Sequence, residues 1–243
     1  MIRKLFIARL GLLCALGLAW LGIIPAFASS LPPKSALVIP ISSCPTLPSA
    51  NLFINGDAEA GAGDPSGNTV PIPGWTTSGA LTVMPYGIPE FPAMTSPGPD
   101  NRGVNFFAGG LDNAGSSAIQ QLDLTCLSTT IDNGSVNFTL AGYLGGYLSQ
   151  NDNATVTITF LDSSNNVLGN AQIGPVLAVD RSNVTGLWLR TTTGALPSGA
   201  RKAQVTVNMV RTEGSYNDGY ADNLTFSMQV ASQSILYLPI VIH

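Results

Sequence analysis

Hydrophobic and polar residues alternate along several stretches of the chain. In the clearest stretches every second residue is apolar, and most of the residues between them are Thr, Ser, Asn or Gln. A period of two residues indicates a β-strand with one buried and one solvated face, as in antiparallel sheets. The clearest strands are predicted at 136–140, 154–160, 204–209 and 224–230. Weaker strands are predicted at 51–55, 81–86, 104–107, 118–124, 167–173 and 187–192.

Turn-forming residues separate these strands, and no stretch between 51 and 230 keeps a helical period. Asp132-Asn133-Gly134 and Asn217-Asp218-Gly219 are typical of tight turns. About ten short strands with such turns predict an all-β sandwich or barrel. The long segments 56–73 and 85–99 are rich in Gly or Pro and are predicted to be surface loops.

The two ends of the chain differ from this central region. Residues 1–28 have a cationic start, an apolar run and the small residues Ala26 and Ala28, which predict a cleaved signal peptide. Residues 29–50 contain five prolines and are predicted to form a linker. The domain is expected at 51–230, followed by an apolar C-terminal tail at 231–243 that is too short to span a membrane. We therefore expect a secreted or cell-surface protein without membrane insertion after cleavage.

Charge narrows the range of partners. The predicted signal peptide takes three of the ten Lys and Arg residues and none of the fourteen acidic ones, so the mature chain has seven cationic and fourteen acidic side chains. Nucleic acids and anionic membranes both need clustered cations. The composition therefore argues against either partner.

Cysteine usage agrees with export. Cys14 lies in the predicted signal peptide, which leaves Cys44 and Cys126 in the mature chain. Two cysteines in an oxidising compartment can form a disulfide, although spacing alone does not show that their sulfurs meet. We state the Cys44–Cys126 pair as a prediction.

Catalytic signatures are weak. The one histidine is the terminal His243, so neither a Ser-His-Asp triad nor a histidine metal site is expected. A carboxylate pair of the glycosidase type is the remaining route to catalysis, and Glu59, Glu90 and Glu213 are available for it. Nothing in their sequence context marks a proton donor, so we expect a non-catalytic protein.

Acidic residues lie near both ends of the predicted domain. Asp57 and Glu59 follow the first predicted strand, and Asp222 precedes the last. Strand alternation from Leu224 points Asp222 toward the core, where a carboxylate is costly unless it is paired or bound to a cation. Carboxylate oxygens suit Ca²⁺, which makes these three residues candidate metal ligands. The alternative is that Asp57 and Glu59 solvate a loop and that Asp222 accepts backbone hydrogen bonds.

Two clusters pair a tyrosine with polar loop residues. Tyr147 precedes Gln150, Asn151 and Asp152, and Tyr216 precedes Asn217 and Asp218. The five candidate ligand residues are the two tyrosines with Asn151, Asp152 and Asn217. An aromatic ring beside amide and carboxylate groups suits the apolar face and hydroxyl rim of a sugar. If both clusters lie at one rim of the sandwich, these five residues form a candidate glycan site. The alternative is ordinary turn chemistry, with each tyrosine covering the core.

Several motifs resemble the galactose-binding-like jelly-roll superfamily, to which many bacterial carbohydrate-binding modules belong. The opening motif is 51–59, followed by Pro73-Gly74-Trp75, and the closing motif is 219–224. The segments 106–110, 145–147 and Asp180-Arg181 are similar to a bacterial secreted branch of it. The resemblance implies a jelly-roll sandwich of two antiparallel sheets and a structural calcium at Glu59 and Asp222, with Asp57 as a helper.

A secreted carbohydrate-binding module is therefore the expected function. The alternative is a structural or adhesive surface protein that uses the same sandwich without a sugar pocket. An exposed aromatic platform distinguishes the two, because a structural domain does not need one.

Overall fold

The structure is a computed structural model and describes residues 38–40 and 50–230. Its strands, in chain order, are β1 (Val38–Pro40), β2 (Thr76–Ser78), β3 (Thr82–Pro85), β4 (Asn105–Leu111), β5 (Gly115–Asp123), β6 (Val136–Gly146), β7 (Asn153–Leu161), β8 (Val167–Ile173), β9 (Gly186–Ala195), β10 (Lys202–Val210) and β11 (Tyr216–Val230). The helical elements are a short α-helix, α1 (Ser128–Asp132), and two 3₁₀ turns, Thr125–Leu127 and Val179–Arg181. None of the helices in these residues is long and apolar enough to cross a membrane.

The strands form two sheets. The first sheet has the order β1-β5-β10-β7-β8, with β2 also paired to β5, and the second has the order β3-β4-β11-β6-β9. This confirms the predicted all-β jelly-roll sandwich. The sheets are antiparallel with one exception, because β1 pairs with β5 in a parallel sense. Residues 38–40 belong to the segment predicted as a linker, and the rest of 29–49 lies outside the described residues, as do the predicted signal peptide and the tail at 231–243.

The main core lies between the sheets. The period-two alternation of the sequence explains it, because β7 and β10 bury every second residue along their length. The aromatic centre of this core joins the two layers: Phe138 of β6 lies 5.0 Å from Phe160 of β7 and 6.1 Å from Phe226 of β11 between ring centroids. Phe53 stacks on Phe226 from the loop before β2.

The first predicted strand, 51–55, is wrong. These residues form turns, although they do run beside the end of β11. The Asn51 Oδ1 atom accepts the backbone N–H groups of Phe53 and Phe226, and its Nδ2 donates to the Leu224 carbonyl. The backbone N–H of Leu52 donates to the Phe226 carbonyl. The Asn51 side chain thus forms hydrogen bonds that a neighbouring strand would otherwise form with β11. The alternation of apolar and polar residues does not predict such a contact.

Candidate functional site

A second apolar cluster lies outside the main core, on the outer face of the second sheet. Its buried members are Met84, Tyr86, Phe106, Ala108, Leu187 and Tyr220. Ile88 and Phe91, from the loop between β3 and β4, pack against it. The loop 86–104 therefore covers part of the outer face of this sheet, and we call it the covering loop.

Arg102 holds the covering loop in shape. Its guanidinium donates to the carbonyls of Ala93, Ser96 and Pro99, and it lies 5.2 Å from the centroid of the Tyr86 ring. Only 9% of Arg102 is exposed. A buried cation satisfied by carbonyls of one loop gives that loop a single conformation.

A β-bulge in β11 decides which side chains face this loop. The pairing of β11 with β6 shifts between Asp222 and Thr225, and Asn223 has a φ of 47°. Ala221 and Leu224 both belong to the main core, whereas Tyr220 belongs to the outer cluster. The expectation that Asp222 points toward the core was wrong, because the extra residue at the bulge reverses the alternation. Asp222 instead accepts a 2.7 Å hydrogen bond from the Tyr86 hydroxyl of the covering loop.

A cavity of about 210 Å³ opens at one end of the covering loop, and we call it the aromatic cavity. It contains both tyrosines of the expected platform. β6 and β11 are antiparallel neighbours, with Gly145 opposite Tyr220, so the end of β6 and the start of β11 meet at one rim. The described residues that line the cavity are Glu90, Phe91, Tyr147, Gln150, Gly214, Ser215, Tyr216 and Asp218.

Two buried polar atoms of this lining have no hydrogen-bond partner. They are the Tyr216 hydroxyl and the Gln150 Oε1. The Tyr216 ring packs edge-on against Phe91, with 5.0 Å between centroids, so its position is fixed. Burial raises the pKa of its hydroxyl well above the ordinary value, with the carboxylates of Asp218 and Asp64 adding to the shift. The hydroxyl is therefore neutral and can both donate and accept.

Asp218 and Glu90 bring two carboxylates to the same cavity. Desolvation raises the pKa of Asp218 to about 6; the hydrogen bond from the Tyr220 hydroxyl lowers it, the charge of Asp152 raises it, and Glu90 adds a smaller upward contribution. Glu90 is exposed and has a φ of 72°, in the left-handed region that favours glycine. Neither residue belonged to the expected platform. The sequence placed Asp218 in the Tyr216 cluster without making it a platform residue, and it offered Glu90 only as a carboxylate available for catalysis.

Three of the five expected platform residues are not in the cavity lining. Asp152 is fully buried, and its carboxylate accepts the backbone N–H groups of Thr212, Glu213 and Asp218. Asn217 is also fully buried, with its Nδ2 donating to the Met209 carbonyl. Asn151 is exposed, and its Oδ1 accepts the backbone N–H of Ala178. These side chains organise the loops behind the cavity, while Tyr147 and Tyr216 line it.

Arg181 also builds the wall from behind. It is 1% exposed, and its guanidinium donates to the carbonyls of Gly146, Leu148, Gln150 and Val184. Burial lowers its pKa from the ordinary value. Its hydrogen bonds fix the turn that carries Tyr147 and Gln150, so the cavity is largely preformed.

The three candidate metal ligands lie near one another. Glu59 Oε1 accepts the backbone N–H groups of Val104 and Asn105 at 2.9 and 2.7 Å. Desolvation raises the pKa of Asp222 to about 8, the Tyr86 and Asn223 hydrogen bonds lower it, and the charges of Glu59 and Asp57 raise it further. Within the described residues no three His, Cys, Asp or Glu side chains are grouped closely enough to hold a metal by themselves. A cation here would need backbone or amide oxygens to complete its shell.

A larger cavity of about 450 Å³ lies beside these acids. Asp57, Tyr143, Leu189 and Asn223 contribute to it. Several side-chain amides of its lining already form hydrogen bonds with backbone groups. Asn55, for example, donates to the Pro73 carbonyl and accepts the Ala60 N–H. Among the described residues that line it, no buried side-chain N or O atom lacks a hydrogen-bond partner, in contrast to the aromatic cavity.

Cys126 is disulfide-bonded in the structure. Cys44 lies outside the described residues, so the Cys44–Cys126 pair stays a prediction.

No family model matches the chain, and no curated protein matches it. Among solved structures, 80 chains are similar to it. The Stig cyclase Fisc from Fischerella sp. TAU is 13% identical over 76% of this chain and 99% of its own, with a TM-score of 0.48. The protein TmCBM61, solved in complex with β-1,4-galactotriose, is 15% identical over 75% of this chain and 99% of its own, with a TM-score of 0.40.

Tailspike protein 4 of bacteriophage CBA120 is 16% identical over 68% of this chain, with a TM-score of 0.42. This chain spans 22% of the length of the tailspike domain that it matches. The three similarities concern the fold.

Proposed function

We propose that the protein is a secreted, non-catalytic carbohydrate-binding module and that the aromatic cavity holds one sugar residue of an extracellular glycan. Tyr147, Tyr216 and Phe91 supply aromatic rings, and Glu90, Gln150 and Asp218 supply polar groups at the same place. This combination suits a ligand with an apolar ring face and a rim of hydroxyls.

The observation that carries the proposal is the pair of unpartnered polar atoms in the lining, the Tyr216 hydroxyl and the Gln150 Oε1. A buried polar atom without a hydrogen bond costs the folded state about 1–3 kcal/mol. Both atoms are almost without accessible surface, so sugar hydroxyls would satisfy them after a small shift of the lining side chains. A polar ligand that bonds these atoms would therefore recover the free energy that they cost the unliganded protein.

Glycan-array screening of the mature protein, residues 29–243, followed by titration of the best glycan, tests the proposal. We expect Tyr216→Phe to weaken binding about tenfold, because it removes one hydroxyl and keeps the ring. Its melting temperature should stay the same or rise, since an unpartnered buried hydroxyl is lost.

Tyr143→Phe is the matched control, because Tyr143 belongs to the same sheet but lines the larger cavity. Full affinity in Tyr216→Phe together with a loss in Tyr143→Phe would move the site to the larger cavity. Binding of no glycan at all would leave the structural or adhesive alternative as the function.

A glycoside hydrolase is the second candidate, because Glu90 and Asp218 place two carboxylates in one cavity. An acid with a pKa raised to about 6 suits the protonation of a leaving oxygen, while an ionised partner acts as base or nucleophile. Incubating the bound glycan with the protein and measuring new reducing ends distinguishes the two functions. Cleavage that Glu90→Gln abolishes would favour the enzyme.

We further propose that a structural Ca²⁺ binds between the opening and closing segments of the domain. Glu59 and Asp222 would supply carboxylate oxygens, with Asp57 as a helper. The support is electrostatic: Asp222 is fully buried beside two other acids, an arrangement that a divalent cation stabilises. Hard oxygen donors in this set fit calcium, and the ion would tie the loop 51–59 to β11.

A further inference from the structure

Both charged side chains that line the aromatic cavity are acceptors, while the Gln150 Nε2 and the Ser215 hydroxyl are donors of the same lining. Glu90 offers a carboxylate, Gln150 an unpartnered Oε1, and Asp218 an Oδ2 that receives none of the hydrogen bonds found in the structure; the Tyr220 hydroxyl donates to its Oδ1. The Tyr216 hydroxyl can act as donor or acceptor. A ligand that satisfies the two carboxylates and the Gln150 Oε1 must therefore present donors to them.

The same wall is negatively charged. Among the described residues that line the cavity there are two acids and no Lys, Arg or His. Asp64 and Asp152 add negative charge from behind, near Tyr216 and Asp218 respectively.

Arg181 and Arg211 contact residues of this wall through backbone carbonyls. Arg181 bonds four carbonyls of its surrounding turns, and Arg211 bonds the Ser215 carbonyl at 2.7 Å. Arg181 lowers the pKa of Asp218, yet the balance of effects still raises it. Because Glu90 and Asp218 lie in one lining whose described residues include no cation, a positive charge in the cavity would be favourable.

The size of the cavity limits the ligand to one ring. Its volume of about 210 Å³ is below the roughly 300–1,000 Å³ of pockets that enclose drug-sized ligands. The rings of Phe91, Tyr147 and Tyr216 line the cavity, which favours a compact ligand with an apolar face. One sugar residue, at the end of a chain or as a branch, meets this requirement.

We propose that the aromatic cavity selects a sugar residue that carries a free amino group, bound as its ammonium, over neutral and acidic sugars. This inference rests on the carbohydrate-binding function proposed above. The ammonium supplies three donors and a positive charge to Glu90 and Asp218, while the ring packs on the aromatic residues. A uronic acid would place a third carboxylate beside these two and is rejected.

The test compares four tetrasaccharides with one backbone: β-1,4-linked glucosamine, N-acetylglucosamine, glucose and glucuronic acid. Galactosamine and galactose oligomers test the other common ring. Titration calorimetry of the mature protein should give a Kd for the free-amine member about tenfold or more below that of its matched neutral member, with no binding of the uronic acid. Added salt should weaken the preference.

Glu90→Gln should remove most of the preference for the amine, because it removes one of the two charges and keeps the size of the side chain. Asp100→Asn is the matched control: Asp100 is exposed on the same covering loop and does not line the cavity. This variant should keep the parent preference, which separates recognition in the cavity from general attraction to an acidic protein. Melting temperatures of both variants confirm folding.

Each remaining outcome is decisive. Tighter binding of a neutral or acidic glycan, lost in Tyr216→Phe, overturns the charge selection and leaves the carbohydrate-binding function standing. If putrescine displaces the bound sugar as well as the free amino sugar does, the site binds an amine without needing a sugar ring, and the inference is overturned. Binding of no glycan on any array overturns the proposed function, and this inference with it.

Discussion

Asp222 is a carboxyl group without exposure to solvent, set against a tyrosine hydroxyl and near two other acids. Its pKa rises from 3.8 to about 8, mainly because of desolvation. The folded state therefore holds a proton that the unfolded chain releases near pH 4. By linkage, the stability that Asp222 contributes is fully present below pH 4 and is lost as the pH rises toward 8.

In EDTA, we expect the melting temperature to fall by about 5–10 °C between pH 5 and pH 8. Asp222→Asn keeps an acceptor for Tyr86 and does not titrate, so its melting temperature should depend much less on pH. Scanning calorimetry at several pH values measures both. A parent protein whose stability is flat or rises over this range would contradict the raised pKa.

Calcium provides the second half of this experiment. Ion binding to the native state alone stabilises it, and the ionised form of Asp222 is the one that binds. Millimolar Ca²⁺ should therefore raise the melting temperature of the parent most at pH 8 and leave Asp222→Asn nearly unchanged. The same melting temperature in EDTA and in calcium at pH 8 would remove the proposed ion.

At the scale of elements, the bulge in β11 is the feature that shapes the site. Asn223 occupies the left-handed region at a φ of 47°, and its Nδ2 donates to Asn101 Oδ1 at 3.0 Å. On one side of the bulge β11 turns Tyr220 and Asp222 outward, and on the other it turns Leu224 and Phe226 inward. One strand thus serves both the main core and the outer cluster.

Asn223→Gly should change the free energy of unfolding by less than about 1 kcal/mol, because glycine adopts this φ without strain and only the contact with Asn101 is lost. Asn223→Val should destabilise by about 1–3 kcal/mol, since a β-branched residue is strained there. Asn208→Val on the exposed side of β10 is the control and should be neutral. Denaturant unfolding measures all three, and a fully stable Asn223→Val would disprove the argument.

The sequence predicts the sandwich well because its signal is repeated at every second residue. β8 has the bounds that were predicted for it, 167–173. β6, β7 and β10 each contain the whole range predicted for them and extend beyond it. The direction of Asp222 was wrong because one extra residue reverses every later position, and alternation carries no mark of a bulge. The sequence places Tyr147 and Tyr216 near predicted turns. It does not reveal that the side chains of Asp152 and Asn217 form hydrogen bonds with backbone groups.

The covering loop is the part of the site that local patterns miss. Glu90 and Phe91 reach the cavity from a turn closed by the hydrogen bond from the Gly87 N–H to the Pro92 carbonyl. Arg102 fixes the part of the loop that follows. In sequence this loop is a Pro-rich stretch with one arginine, and such composition predicts only an irregular segment. Long-range packing decides where it lies.

At the scale of the whole molecule, a disulfide would join the N-terminal segment to the sandwich. Cys126 is disulfide-bonded and lies in the 3₁₀ turn after β5. We expect no free thiol when the unreduced mature protein is denatured and titrated, and one disulfide between Cys44 and Cys126 in peptide mapping. Cys126→Ser should lower stability by about 4 kcal/mol, the scale for a loop of this length. Two free thiols in unreduced protein would disprove the bridge.

The length and position of β11 have a mechanical consequence. It is 15 residues long and pairs with β4 over 216–221 and with β6 over 220–230. Its first residues line the aromatic cavity, and its last is Val230. A force that pulls a glycan at the cavity away from the C-terminal end of β11 would run along this strand. The hydrogen bonds to its neighbours lie across the direction of pull, so they would be loaded together in shear. A strand loaded in this way resists force better than one whose hydrogen bonds break one after another.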